Sequence, residues 1–169
     1  MIPDKRFGPA ISEFKLTVPA DYNHDKQIDQ YAKHVRKLKT TYYYNGDLTS
    51  ENFSKASNQL EPGKTYKVKI FPILERVESE DCMVFLRKQN AIFVGGQGLM
   101  LAHDLKKNEF PMSKYTVSFD EEDALWKDSD GDPRVPRVER YSDGDWRFDL
   151  GVFGSSWDDG DCLLCFCDK

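Results

Sequence analysis

Three Asp-Gly pairs, Asp130-Gly131, Asp143-Gly144 and Asp159-Gly160, divide the last third of the chain into short segments rich in aromatic and branched residues. Glycine accepts positive φ at no steric cost, and an aspartate folds its carboxylate onto its own backbone, so each pair is a turn signal. Segments this short between turns suit strands better than helices. The spacing inside them agrees. In "SDGDWRFDL" Trp146, Phe148 and Leu150 alternate with Arg147 and Asp149, and upstream Val138 stands between Arg137 and Glu139, with Tyr141 further along. A two-residue period turns one set into a core and leaves the other on an exposed face.

The earlier chain has a different grammar. "FKLTV" alternates and ends at Pro19, which suggests a short strand. From about Asp25 to Lys39, Ile28, Tyr31, Ala32, Val35 and Leu38 recur at helical spacing and predict one buried stripe. "LTSENFSKASNQL" reads as a second helix, with Thr49 as N-cap, Leu48 and Phe53 as a hydrophobic staple, and Pro62-Gly63 as the stop. "KTYKVKIFPIL" is a strand with Tyr66, Val68 and Ile70 on one side and lysines on the other. Ser79, Glu80 and Asp81 open a helix that carries Cys82, Phe85 and Leu86 inward and ends near Asn90. "AIFV" and "KYTVSF" read as strands, while "GLMLAHDL" fits helix or strand. These readings predict an α+β fold, with helices in the N-terminal half and an antiparallel, β-rich C-terminal half. At 169 residues one domain suffices, with 1–13 as an extended arm and 134–167 as a display region.

Composition sets the function classes. A hydrophobic content of 39% with 13% aromatics is that of a globular domain. No apolar run has the length of a membrane span, and "MIPDKRFGPAISEF" lacks a signal-peptide layout, so the expected location is cytoplasmic, with export by another route left open. Cys162, Cys165 and Cys167 crowd one segment and Cys82 stands apart, which fits reduced thiols better than a disulfide framework. Residues 120–169 carry 15 acids against 6 bases, whereas residues 1–119 are net positive. An acidic C-terminal third repels phosphate backbones, so no nucleic-acid partner is expected there. Lys33, Arg36, Lys37 and Lys39 read as the solvated side of a helix.

Several short motifs fail on spacing. Gly63-Lys64-Thr65 resembles the end of a phosphate loop, but Asn58 stands where the loop needs its first glycine. "VGGQGL" places Leu101 where a dinucleotide loop needs its third glycine, so a tight turn is expected. "DSDGD" puts Asp128, Asp130 and Asp132 at calcium-loop spacing, but Pro133 takes the glycine position. "CLLCFC" lacks a fourth zinc ligand and reads as a buried strand. His24, His34 and His103 have no nucleophile or metal-ligand partner at a recognisable spacing. No cofactor and no metal are expected.

The stretch around "GVFGSSWDDGD" then gains meaning. Phe153 and Trp157 anchor a loop that exposes Gly154, Ser155 and Ser156, the chemistry of a paratope-like surface. Further, "EPGKTYKVKIFPI", "SEDCMVFLRKQ", "VGGQGL", "SFDEEDALWKD", "RVP", "SDGDW", and "W" followed by "LLCF" together carry a resemblance. From about Lys64 onward the chain resembles a family of uncharacterised proteins from uncultured small-genome bacteria of the candidate phyla. The resemblance implies that residues between the C-terminal anchors differ freely while the anchors persist. That pattern is similar to the variable proteins of diversity-generating retroelements, which display a hypervariable ligand-binding face on a C-type lectin-like fold. Their usual "GSW…GFR" ending is absent here, and Trp146, Trp157 and "LLCF" are its analogues.

The resulting expectation is a ligand-binding module, with a protein as the foremost ligand class. The candidate binding positions are Arg137, Glu139, Tyr141, Arg147, Asp149, Val152, Ser155, Ser156, Asp158, Asp159 and Asp161. Trp146, Phe148, Phe153, Trp157 and Phe166 are the scaffold. The alternatives are a small enzyme with a carboxylate-rich site and a structural or assembly protein. The sequence leaves the oligomeric state open.

Overall fold

The segment Asp161–Cys167 is a strand buried at all seven of its positions, on both faces. A strand of that kind requires a layer of structure on each side of its sheet. The computed structural model, which describes residues 3–167, provides both layers. In chain order its elements are β1 (Ser12–Thr17), α1 (Gln27–Val35), β2 (Thr41–Tyr44), β3 (Thr65–Pro72), β4 (Val77–Glu78), α2 (Ser79–Lys88), β5 (Ala91–Ile92), α3 (Gly95–Lys106), β6 (Lys114–Val117), β7 (Arg134–Arg140), β8 (Trp146–Val152), β9 (Ser156–Trp157) and β10 (Asp161–Cys167). The main sheet runs β1-β3-β10-β6-β7-β8-β2, with β5 also paired to β10, and β4 and β9 form a separate two-stranded ribbon. The fold is α+β, and the sheet is mixed: β10 lies parallel to β6 and β2 parallel to β8, while the other pairs are antiparallel.

Two apolar clusters lie on the two faces. On one, Leu16, Val68, Ile70, Leu164, Phe166, Val138, Phe148 and Leu150 meet Ile28, Tyr31 and Val35 of α1 and Leu99 and Met100 of α3. On the other, Phe71, Leu163, Cys165, Val117 and Val135 meet Cys82, Met83 and Leu86 of α2, together with Phe7, Phe119, Phe153 and Trp157. Phe7 belongs to the stretch expected as an arm; it stacks on Phe85 at 4.3 Å and bridges to Ile73. Met1 and Ile2 of that stretch lie outside the described residues.

The helix expected over 25–39 forms over Gln27–Val35, and the apolar stripe faces inward as its spacing requires. Its first turn is capped from elsewhere in the chain. Gln97 Oε1 accepts the Ile28 N–H at 2.8 Å, and Ser50 Oγ accepts the Asp29 N–H at 3.0 Å.

Two expectations are corrected, and one element goes unannounced. Residues 48–60 form no helix. Thr49 does take the N–H of Asn52 on its Oγ, and Leu48 and Phe53 are buried, but only one turn follows. The Ser57 N–H then bonds Asp120 Oδ2 at 3.0 Å and the Asn58 N–H bonds the Phe93 carbonyl at 2.9 Å, so tertiary partners take the donors that a helix would have used. "VGGQGL" is the opening of α3, which places a helix beyond the chain's midpoint. Close packing explains its glycines: a Cβ on Gly96 would lie 3.1 Å from Ile28 and 3.3 Å from Pro136. In addition, "TYYY" forms β2, a strand the alternation did not announce.

Within the first cluster His103 is 2% exposed. Its Nδ1 is hydrogen-bonded to the Tyr31 hydroxyl at 2.6 Å, and the rings of Trp146, Phe148 and Phe110 surround it at 4.3, 5.0 and 5.4 Å. Burial, with Lys107 and Arg140 adding to it, depresses the imidazole to about 3, so it is neutral in the fold. The unfolded chain protonates this group near 6.5 and the folded one does not, so stability falls as the pH drops from about 6.5 toward 3. Chemical denaturation at pH 7 and pH 5 should show a loss of about 2 kcal/mol from this residue, and His103→Phe should flatten that slope. The Trp146 and Trp157 rings are both buried. Trp146→Ala and Trp157→Ala should each cost about 3–5 kcal/mol by denaturant unfolding.

Candidate binding face

Trp157 divides the second face of the sheet into an apolar part and a polar part. Its indole N–H donates to Ser79 Oγ at 2.8 Å, and that hydroxyl donates to the Phe153 carbonyl at 2.5 Å. The first residue of α2 thus ties down both anchors of the Phe153–Trp157 loop. The ring comes this close to β8 because position 151 is glycine: a Cβ there would stand 2.5 Å from the indole. The same hypothetical Cβ would lie 3.6 Å from the Arg137 side chain, so the tryptophan abuts the polar residues.

Those residues stand in two rows across the strands. Cross-strand partners in register share a face. One row runs Asp161 (β10), Tyr115 (β6), Glu139 (β7), Arg147 (β8) and Tyr43 (β2). The next runs Leu163, Val117, Arg137 and Asp149, passing from core to polar face. Asp149 joins the two rows. Its Oδ2 is 3.2 Å from Arg147 and 3.9 Å from Arg137, and its Oδ1 accepts the Asn45 side-chain N–H at 3.1 Å. Each guanidinium also lies over a tyrosine ring, Arg137 over Tyr115 at 4.0 Å and Arg147 over Tyr43 at 5.0 Å. Hydrogen bonding with Tyr141 raises Arg147 above its ordinary range, and burial raises the Tyr115 phenol and the Asp161 carboxyl. Tyr141 meets Tyr42, 69% exposed, edge to face at 5.5 Å.

The structure brings many of the sequence-predicted positions together. Arg137, Glu139, Tyr141 and Arg147 are partly exposed, and between the Phe153 anchor and β10 Ser155, Asp158 and Asp159 lie in turns while Ser156 opens β9. Asp149 and Asp161 depart from the expected exposure: both are 8% exposed and act beneath the face. Val152 is also displaced, since it pairs with Arg134 and strand alternation puts it on the opposite face of the sheet. Sequence reasoning confined the face to the last third and so missed Tyr42, Tyr43, Asn45 and Tyr115. The run of Thr and Tyr at 41–44 has strong β propensity and was the available signal for the first two.

Other carboxylates have local work. Asp120 is buried, which raises its carboxyl, and it accepts bonds from the Ser57 hydroxyl and the N–H groups of Ser57 and Glu121. Asp128, Asp130 and Asp132 bring carboxylate oxygens within 4.8 Å of one another. Asp128 spends its oxygens internally, on the N–H groups of Asp130 and Asp132 and on Arg134 at 3.1 Å. Clefts of about 430 and 470 Å³ lie away from the polar rows, the first beside Glu51 and Trp126, the second beside Phe7 and Phe85. Among the described residues no helix is long and apolar enough to cross a membrane. No family model, curated protein or solved structure matches the chain.

Asp149 is the residue on which the face depends. Asp149→Ala should cost about 1–3 kcal/mol by denaturant unfolding, because two guanidiniums and an amide lose their acceptor. Glu139→Ala, which removes no such shared partner, should stay within about 0.5 kcal/mol.

Proposed function

We propose that this chain is a ligand-binding module that presents the Arg137–Glu139–Arg147 face and the Ser155–Asp159 loop to a protein partner. The observation that carries the reading is the pair of rows across five strands, in which arginines are stacked on tyrosines and pinned by one carboxylate. Tyrosine and arginine are, with tryptophan, the residues enriched at interface hot spots, and both bind best when ordering them costs little. Strands hold a constellation more rigidly than loops do.

The reading extends to the scaffold, taken as a C-type lectin-like display domain of the variable-protein kind. What supports it is the division of labour within 134–167. Trp146, Phe148, Phe153, Trp157 and Phe166 are buried, while Glu139, Tyr141, Arg147, Ser155, Ser156, Asp158 and Asp159 keep exposed area. Exchange at the second set leaves the core intact.

A library randomised at those seven exposed positions, with Asp149 and Asp161 kept, tests the reading. Most members should fold, each exposed change shifting stability by less than about 0.5 kcal/mol. Selection on immobilised proteins should yield binders whose contacts map to the randomised positions. A library that largely fails to fold, or one that folds and yields no binder to any target, contradicts it.

A further inference from the structure

The main sheet has two edges, and they are built differently. At β1 the exposed positions include Glu13 and Lys15, and Lys67 of β3 pairs with Glu13 at 3.5 Å. Charges of this kind keep a second strand from adding to an edge. Strand β2 pairs with β8 alone, so its other side turns backbone groups away from the sheet. From Thr40 to Asn45 there is no charged residue and no proline. Tyr42 is 69% exposed and Tyr43 is 40% exposed. The exposed charges on the flanks have opposite signs: Lys37 and Lys39 precede the strand and Asp47 follows it. Among the described residues none of these three has an ion-pair partner.

We propose that β2 is the contact of a homodimer, in which the β2 strands of two copies pair antiparallel across a two-fold axis at Tyr43. Such an axis sets Lys39 of one copy toward Asp47 of the other, and symmetry repeats the contact at the far end. Tyr42 then lies across from Tyr44 of the second copy, an aromatic cross-strand pair. A parallel pairing would instead bring Lys39 against Lys39 and Asp47 against Asp47, so charge selects the antiparallel arrangement. The strand has four residues and a bulge between Thr41 and Tyr43, which holds the contact to the small end of interface sizes. The dimer is accordingly weak and forms at high protein concentration.

Residues opposite each other on paired strands share a face, so the polar faces of both copies lie on the same side of one continuous sheet. The row that ends in Arg147 and Tyr43 meets its equivalent in the second copy there. The dimer does not depend on what those rows bind, and its test needs no ligand.

Sedimentation equilibrium on the full chain at low ionic strength, up to about 1 mM, should show a monomer–dimer equilibrium. Lys39→Asp and Asp47→Lys should each weaken association more than about 10-fold, because like charges then face each other at both ends. An equimolar mixture of these two variants should associate as the wild type does, since one chain carries acid at both positions and the other carries base at both. Tyr42→Lys, which places a charge on the edge itself, should weaken association more than about 10-fold. All three positions are exposed, and matching circular dichroism spectra and melting temperatures show that each variant has kept its fold. A wild type that stays monomeric throughout the range overturns the proposal. So do folded single variants that dimerise as well as the wild type, or a mixture of the two charge variants that stays monomeric.

Discussion

Burial of β10 on both faces is the constraint from which the rest of the architecture follows. A strand reading "DCLLCFC" buries its entire length, so it cannot lie at an edge or on a half-solvated sheet. It pairs with β3 on one side and with β5 and β6 on the other, which satisfies its backbone. Its even positions require α1 and α3, and its odd positions require α2 and the segment around Phe7. The last strand of the chain is thus the centre of the molecule, and most of the fold's contacts are long-range in sequence.

The polar face exists because the second layer stops. Helix α2 covers β10 and the near part of β6 and β7, and Trp157 closes that cover against Gly151. Beyond the indole the same pleat continues with Arg137, Asp149, Glu139 and Arg147 in place of apolar residues. A charged residue on a sheet face with walls on one side is only partly solvated, so each guanidinium there needs a partner. Asp149 and the tyrosine rings are those partners. Orientation of the arginines is therefore a consequence of packing, and the loop at Ser155 is held by the same tryptophan through Ser79.

Much of this was legible in the sequence, for a physical reason. The alternation at Trp146, Phe148 and Leu150 reports a pleat directly, and the Asp-Gly turns fix where it starts and stops. Helix α1 was legible because one amphipathic stripe suffices to place it. The 48–60 helix was not a helix because its local cap is sound but Asp120 and Phe93, distant in sequence, take the next donors. Helix α3 was obscured because it is buried all round and shows no stripe to read. The face was half legible: alternation gives which residues share a side, but only register across strands shows that Tyr115 and Tyr43 complete the row. Pro136 shows the same limit. It sits within β7, where its carbonyl accepts the Ser118 N–H just past the end of β6, so the donor it lacks would face that side beyond the last β6 ladder pair.

A doubly buried β10 holds a scaffold whose polar face can change without loosening it. Native-state hydrogen exchange on the wild type and on a chain carrying Glu139→Ser, Arg147→Ser and Asp159→Ser measures this most directly. Amides of β10 and β3 should exchange only through global unfolding in both proteins, with the same protection relative to each protein's total stability. Exchange of β10 amides through a local opening, in the wild type or newly in the substituted chain, would contradict it.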